Sequence, residues 1–176
     1  MGGVMRIQPS FAVLFAVVSS WSMHASPVQA QRVFVSATGS DGNPCSVASP
    51  CRTFQHAHDV VPANGEIDVL DPAGYGAVNI IKSISIQGHG FSGITATAGN
   101  AININAGVIK INLRGLLLDG AGTGTNGINF LAAGGILSIQ DCQIRNFAGD
   151  GIFFWATNYK CESRFQLVHV KHGDRR

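Results

Sequence analysis

The sequence predicts an all-β protein built as a β-solenoid of few coils, with one helix ahead of it as a cap. Three observations predict this. Leu137 to Ile144 repeats the pattern of Ile111 to Leu118 at a constant offset of 26 residues, and Ile102, Ile128 and Ile152 follow one another at 26 and 24. The repeated segments are short, alternate apolar with polar residues, and are split by Gly and Asn. From Glu66 onward no stretch has helical period. A fixed period of this length, carried by alternating segments, marks coils that stack on one another and bury a shared core.

The first thirty of 176 residues read as an export signal. Arg6 gives a basic start, Phe11 to Val18 an apolar core, and Val28-Gln-Ala30 a small-residue cleavage site before Gln31. That core is too short to span a bilayer, and no later run approaches the ~18 apolar residues a span requires. A secreted or periplasmic protein of one domain is expected, divided into a strand, Cys loop and capping helix (31–65), the coils (66–156) and an atypical basic tail (157–176).

The charges exclude one class of partner. Residues 31–150 carry six basic and eight acidic groups, whereas 151–176 carry five basic and two acidic. The body is therefore near neutral and slightly acidic, and nucleic acid, which needs a concentrated basic face, is not an expected partner.

After a short β-type run, Arg32 to Ser36, comes a loop by composition, Ala37 to Pro44. Cys45 and Cys51 lie among turn formers in an exported chain, and a disulfide between them is expected to stiffen the loop. No spacing around them suits zinc, so no metal and no cofactor is expected. Cys142 aligns with Leu116 and reads as a small apolar core residue, while Cys161 is left over. Residues 49–61 read as the helix, with Ser49 as cap, Pro50 in the first turn, and Phe54, Ala57, Val60 and Val61 on one face. His56 and His58 fall on its other, solvated face. Short β-type runs follow at 67–70, 77–81, 83–87 and 94–96. An amphipathic helix in this place would cover the open end of the core and an unpaired strand edge.

Four stretches, VFVSATGSDGNPC (33–45), SPCRTFQHA (49–57), GEIDVLDPAGYG (65–76) and IKSISIQG (81–88), resemble the start of right-handed parallel β-helix proteins of the pectin-lyase-like superfamily. The resemblance covers roughly residues 32–155 and makes the expected fold a right-handed parallel β-helix. It implies polysaccharide as the partner class, but the superfamily spans lyases, hydrolases, esterases, tailspikes and adhesins, so fold alone names no reaction.

Within the coils, Ile109, Ile111 and Leu113 should point inward and Lys110, Asn112 and Arg114 outward. Asn100, Asn126 and Asp150 each precede a glycine-led strand and read as a ladder of turn residues rather than a ligand row. Asp119 and Arg145 share a repeat position and should pair between coils.

No catalytic set emerges, and the catalytic residues are unknown. Asp119, Asp141 and Asp150 occupy three different repeat positions, and Asp68 with Asp71 is too little for calcium, which wants six to eight oxygens. Gly88-His89-Gly90 matches one short motif of polygalacturonases, but their paired aspartate motifs are missing and a turn is the better reading. No Ser-His-Asp set can be placed. The expectation is an exported module without a recognisable active site, the alternative a polysaccharide lyase or hydrolase of the superfamily, or a remnant of one.

After Phe154 the Gly/Asn/Ile rhythm stops, and the last stretch holds two of the six histidines and five of the twelve basic residues. It reads either as a cap with a final strand at Phe165 to Val170, or, the favoured expectation, as a chain cut short by a shifted reading frame or a degraded gene, with the tail foreign to the fold. An uncovered last coil would then favour self-association.

Overall fold

A computed structural model describes residue 2, residues 31–107 and 109–155, and the backbone of residues 160 and 161. The expected export signal, residue 2 aside, and almost all of the basic tail, with its expected strand at 165–170, lie outside the described residues.

The described chain is mostly β, with one short helix. Its strands form two sheets, and every strand pairing within them is parallel. The larger sheet takes β1 (Arg32–Val35), β2 (Gly65–Val69), β4 (Ile84–Thr95), β6 (Lys110–Asp119), β8 (Ile136–Gln140) and β11 (Lys160–Cys161) in that order, with β9 (Gln143–Arg145) also on β6. The smaller takes β3 (Val78–Ile80), β5 (Ile102–Ile104), β7 (Ile128–Phe130) and β10 (Ile152–Phe154). From β2 onward the chain passes back and forth between the two sheets, so each strand meets the strand of the next passage.

The offset of 26 is the register of β6 with β8 and β9 and of β5 with β7. Ile111 faces Leu137, Leu113 faces Ile139 and Leu118 faces Ile144. In the smaller sheet Ile102, Ile128 and Ile152 stack in one column. Period-2 alternation puts Ile84, Ile86, Ile111, Leu113 and Leu137 in the core while Ser85, Gln87, Asn112 and Arg114 face out. Cys142 lies beside Leu116 as aligned, half-buried, its Sγ accepting the Leu116 N–H at 3.4 Å; burial holds its thiol pKa above the ordinary value.

The runs at 83–87 and 94–96 belong to one strand. β4 continues through both, and its register against β6 shifts between Gln87 and Ser92. Gly88, His89, Gly90 and Phe91 make a bulge opposite Gly115. The glycines are required by space: a Cβ on Gly88 would lie 2.5 Å from the Gly115 carbonyl oxygen, and one on Gly115, at φ +63°, 2.7 Å from the Gly90 nitrogen. The buried Ser92 hydroxyl donates to the Gly88 carbonyl at 2.9 Å and closes the bulge.

The helix is shorter than the sequence pattern implies. It is α1, Phe54–Val60, capped by Thr53, whose hydroxyl accepts the His56 N–H at 3.1 Å; Ser49 and Pro50 precede it in the loop. Its buried face is Phe54, Ala57, His58 and Val61, spaced i, i+3, i+4 and i+7, whereas Val60 is exposed. His58 therefore corrects the expectation of a solvated pair of histidines, because the i+4 position belongs to the apolar face.

Cys45 and Cys51 are joined as a disulfide. The loop they close lies along the outer edge of β1: Phe34 N–H donates to Cys45 O at 2.8 Å, Cys51 N–H to Phe34 O at 2.9 Å, and Ser36 N–H to Cys51 O at 2.9 Å. The β1 edge of the larger sheet is thus covered by backbone and the β3 edge of the smaller sheet by α1, two of the remedies for an open strand edge.

Candidate functional site

Two outward faces hold the chemistry. On the larger sheet the rows are Arg32, Glu66, Ser85, Asn112, Ser138 and, two residues along, Asp68, Gln87, Arg114, Gln140. Arg32 pairs with Glu66 at 2.5 Å and lies 3.5 Å from Asp68. The bulge carries His89 at φ 55° back over β2, where its Nε2 meets Asp68 Oδ1 at 2.5 Å and its ring stacks on Phe91 at 5.6 Å. A cleft of about 370 Å³ lies beside it, lined by Gln87, His89, Gly90, Arg114, Gly115 and Asp141. Arg114 is 3.7 Å from Asp141, and both are more than half exposed, so their attraction is weak.

The expected carboxylate neighbours part company. Asp71 accepts from the hydroxyls of Tyr75 and Ser36 and from Ala37 N–H, and these bonds, Tyr75 foremost, hold its pKa below the ordinary value. It therefore ties the chain after β2 to the end of β1, while Asp68 faces the cleft side. Asp119 accepts from Ala121 N–H at 2.9 Å, Asn146 at 3.1 Å and Arg145 at 2.8 Å, which is the anticipated pairing between passages. Those donors, Ala121 first, lower its pKa.

The face of the smaller sheet is different in kind. Residues 77–81, 101–105, 127–131 and 151–155 contain no charged residue. Asn79, Asn103, Asn129 and Phe153 stand in register. Their amides form a ladder: Asn103 Nδ2 donates to Asn79 Oδ1 at 3.0 Å and Asn129 Nδ2 to Asn103 Oδ1 at 3.2 Å. Beside it the other row works as a backbone tie, because Asn126 N–H donates to Asn100 Oδ1 at 3.0 Å and Asp150 N–H to Asn126 Oδ1 at 2.8 Å. Asn100, Asn126 and Asp150 are thus turn residues that bond from one passage to the next. The first ladder was not anticipated, though the 24- and 26-residue spacing of Asn79, Asn103 and Asn129 carried it.

A second row runs two residues further along these strands. Asn105 N–H donates to Ile80 O, Leu131 N–H to Ile104 O and Trp155 N–H to Phe130 O, which carries the pairing through to Ile81, Asn105, Leu131 and Trp155. Ile81 is 63 % exposed and Trp155 75 %. The Trp155 ring lies 6.1 Å from that of Phe153, tilted by 31°. Both rows thus combine amides with apolar or aromatic side chains and end in an aromatic ring, Phe153 in one and Trp155 in the other.

Cys45 Sγ, Cys51 Sγ and a His56 ring nitrogen lie within 4.8 Å of one another, but the sulfurs are spent on each other in the disulfide and offer no thiolate. Among the described residues no helix is long and apolar enough to cross a membrane. Compared with family models, with curated protein sequences and with solved structures, the chain matches none.

Proposed function

We propose that the chain is an exported right-handed parallel β-helix module of the pectin-lyase-like kind that associates with polysaccharide and does not cleave it. The alternation of the chain between two parallel sheets at a period near 26 residues supports the fold. The observation that carries the polysaccharide reading is the uncharged outer face of the smaller sheet. Amide groups donate to and accept from sugar hydroxyls, and exposed Trp155 with half-buried Phe153 beside it offers flat apolar surface to the C–H faces of a sugar ring. A face without charge selects a neutral glycan over a uronate.

Retention on immobilised neutral and acidic polysaccharides tests this. The protein should be retarded by a neutral glycan, Trp155→Ala and Asn105→Ala should each weaken retention, and Arg114→Ala should leave it unchanged. Retention by no glycan, or retention that depends on Arg114 alone, overturns the assignment to this face.

A second reading is favoured by the contact of His89 with Asp68 beside Arg114 and the 370 Å³ cleft, an acid–base pair next to a cation. It makes the chain a polysaccharide lyase or hydrolase, or a remnant of one. New unsaturated or reducing ends from an acidic polysaccharide, with or without calcium, would establish it and overturn the first.

A further inference from the structure

His58 has a side chain only 2 % exposed and uses both ring nitrogens. Nε2 accepts the Ile81 N–H at 3.3 Å, and Nδ1 lies 3.2 Å from Asp59 Oδ1. An imidazole that accepts at Nε2 carries its proton on Nδ1, so the ring is neutral and donates to Asp59. The bond to Ile81 belongs to a strand edge. β3 pairs with β5 through Val78 and Ile80, as in Val78 N–H to Ala101 O and Asn105 N–H to Ile80 O. The N–H groups of Asn79 and Ile81 therefore point the other way, where no strand follows in the sheet order among the described residues. Gln55 Oε1 takes the first at 2.8 Å and His58 Nε2 the second. Helix α1 thus replaces a missing strand with two side-chain acceptors, and only one of them titrates.

We propose that His58 is an acid-sensitive latch: a proton on Nε2 turns the acceptor for Ile81 N–H into a second donor, and the last turn of α1 lets go of the β3 edge. The first turn stays, held by buried Phe54 and Ala57 and by the Gln55 bond to Asn79. What opens is a short backbone edge able to pair with an added strand.

The charged groups facing the ring are few. Asp59, beside it on α1, also accepts from Gln55 Nε2 at 2.9 Å and favours the imidazolium. Lys82, after β3, reaches the Asp59 carbonyl with Nζ at 3.5 Å and opposes it. On β1 and β2, also packed against α1, Arg32 pairs with Glu66 and Asp68. β3 itself carries no charge. Burial is the largest influence and, with Lys82, outweighs Asp59, so the pKa of His58 lies below the usual 6.5. The sign follows: below pH 6.5 the unfolded chain binds the proton more readily than the folded one, so stability is full above that pH and declines as pH falls beneath it.

Residue-resolved amide exchange between pH 7 and pH 4.5, corrected for the intrinsic rate, reads the latch. Ile81 should lose protection, by up to about tenfold per pH unit once the ring titrates, since one proton is taken up on opening. Asn79, held by a side chain that does not titrate, should keep its own. His58→Gln retains a neutral acceptor and should make Ile81 protection flat across the range. Parallel loss at Ile81 and Asn79, or the same pH profile in wild type and His58→Gln, overturns the proposal.

Discussion

Replacing Cys45 and Cys51 together by Ser tests how the open side of the larger sheet is kept closed. The bridge closes a ring with a sequence separation of 6, and the chain-entropy relation for so small a loop gives about 2 kcal/mol of stabilisation. Both cysteines are fully buried, so Ser at each place also puts a hydroxyl into the core, and the total loss should reach roughly 3–4 kcal/mol. The loss has a place as well as a size. Cys45 O and Cys51 O accept the N–H groups of Phe34 and Ser36, and those two amides are the first that a loosened ring would expose. Urea denaturation of the oxidised protein and the double variant gives the magnitude, and amide exchange at Phe34 and Ser36 gives the location. A variant within about 0.5 kcal/mol of wild type, or one whose Phe34 and Ser36 amides stay as protected as before, would refute the view that the bridge holds the β1 edge.

Gly115→Ala should destabilise by about 2–4 kcal/mol, because it forces a side chain into a positive-φ position against the Gly90 and His89 nitrogens; a near-neutral effect in thermal denaturation would mean the bulge is not seated as described. Leu113→Ala empties a fully buried core position, and about 2–5 kcal/mol should be lost in urea denaturation. Asn103→Ala removes the middle of the amide ladder, with its bonds to Asn79, Asn100 and Asn129; about 1–2 kcal/mol should go, at half-buried sites. Asp119 has a lowered pKa, so its contribution is present above the ordinary carboxylate value and fades as pH falls through the folded one; Asp119→Asn should flatten the stability profile in acid relative to wild type.

What the sequence made legible was the part that repetition enforces. Parallel strands in register bring the same repeat position together at every passage, so Ile111 over Leu137 and Asp119 over Arg145 could be read from spacing alone. The disulfide was readable for a similar reason, as two cysteines close in the chain inside a loop of turn formers. The features that do not repeat were harder. The bulge interrupts the alternation of β4 with two glycines, which on composition look like the end of a strand and make His89 read as a turn residue. Histidine is polar enough to be assigned to solvent, yet at i+4 from Phe54 it had to share the buried face, and its acceptor nitrogen is what makes that burial tolerable. The aromatic end of the smaller face went unnoticed because Trp155 marks the place where the rhythm stops.

The bulge in β4 also says something about how much length this backbone absorbs. Between partnered residues the chain runs 19 positions from Gly65 to Ile84, 27 from Ile84 to Ile111 and 26 from Lys110 to Ile136, yet β4 and β6 are paired on both sides of the bulge. Ladder spacing is set by the hydrogen bonds across strands, so surplus residues are pushed outward and leave the rungs where they were. The exposed tip, His89 to Phe91, is thus a natural insertion point: a foreign loop placed there would be displayed above the larger sheet from two fixed ends, with buried Gly88 and Ser92 as its anchors.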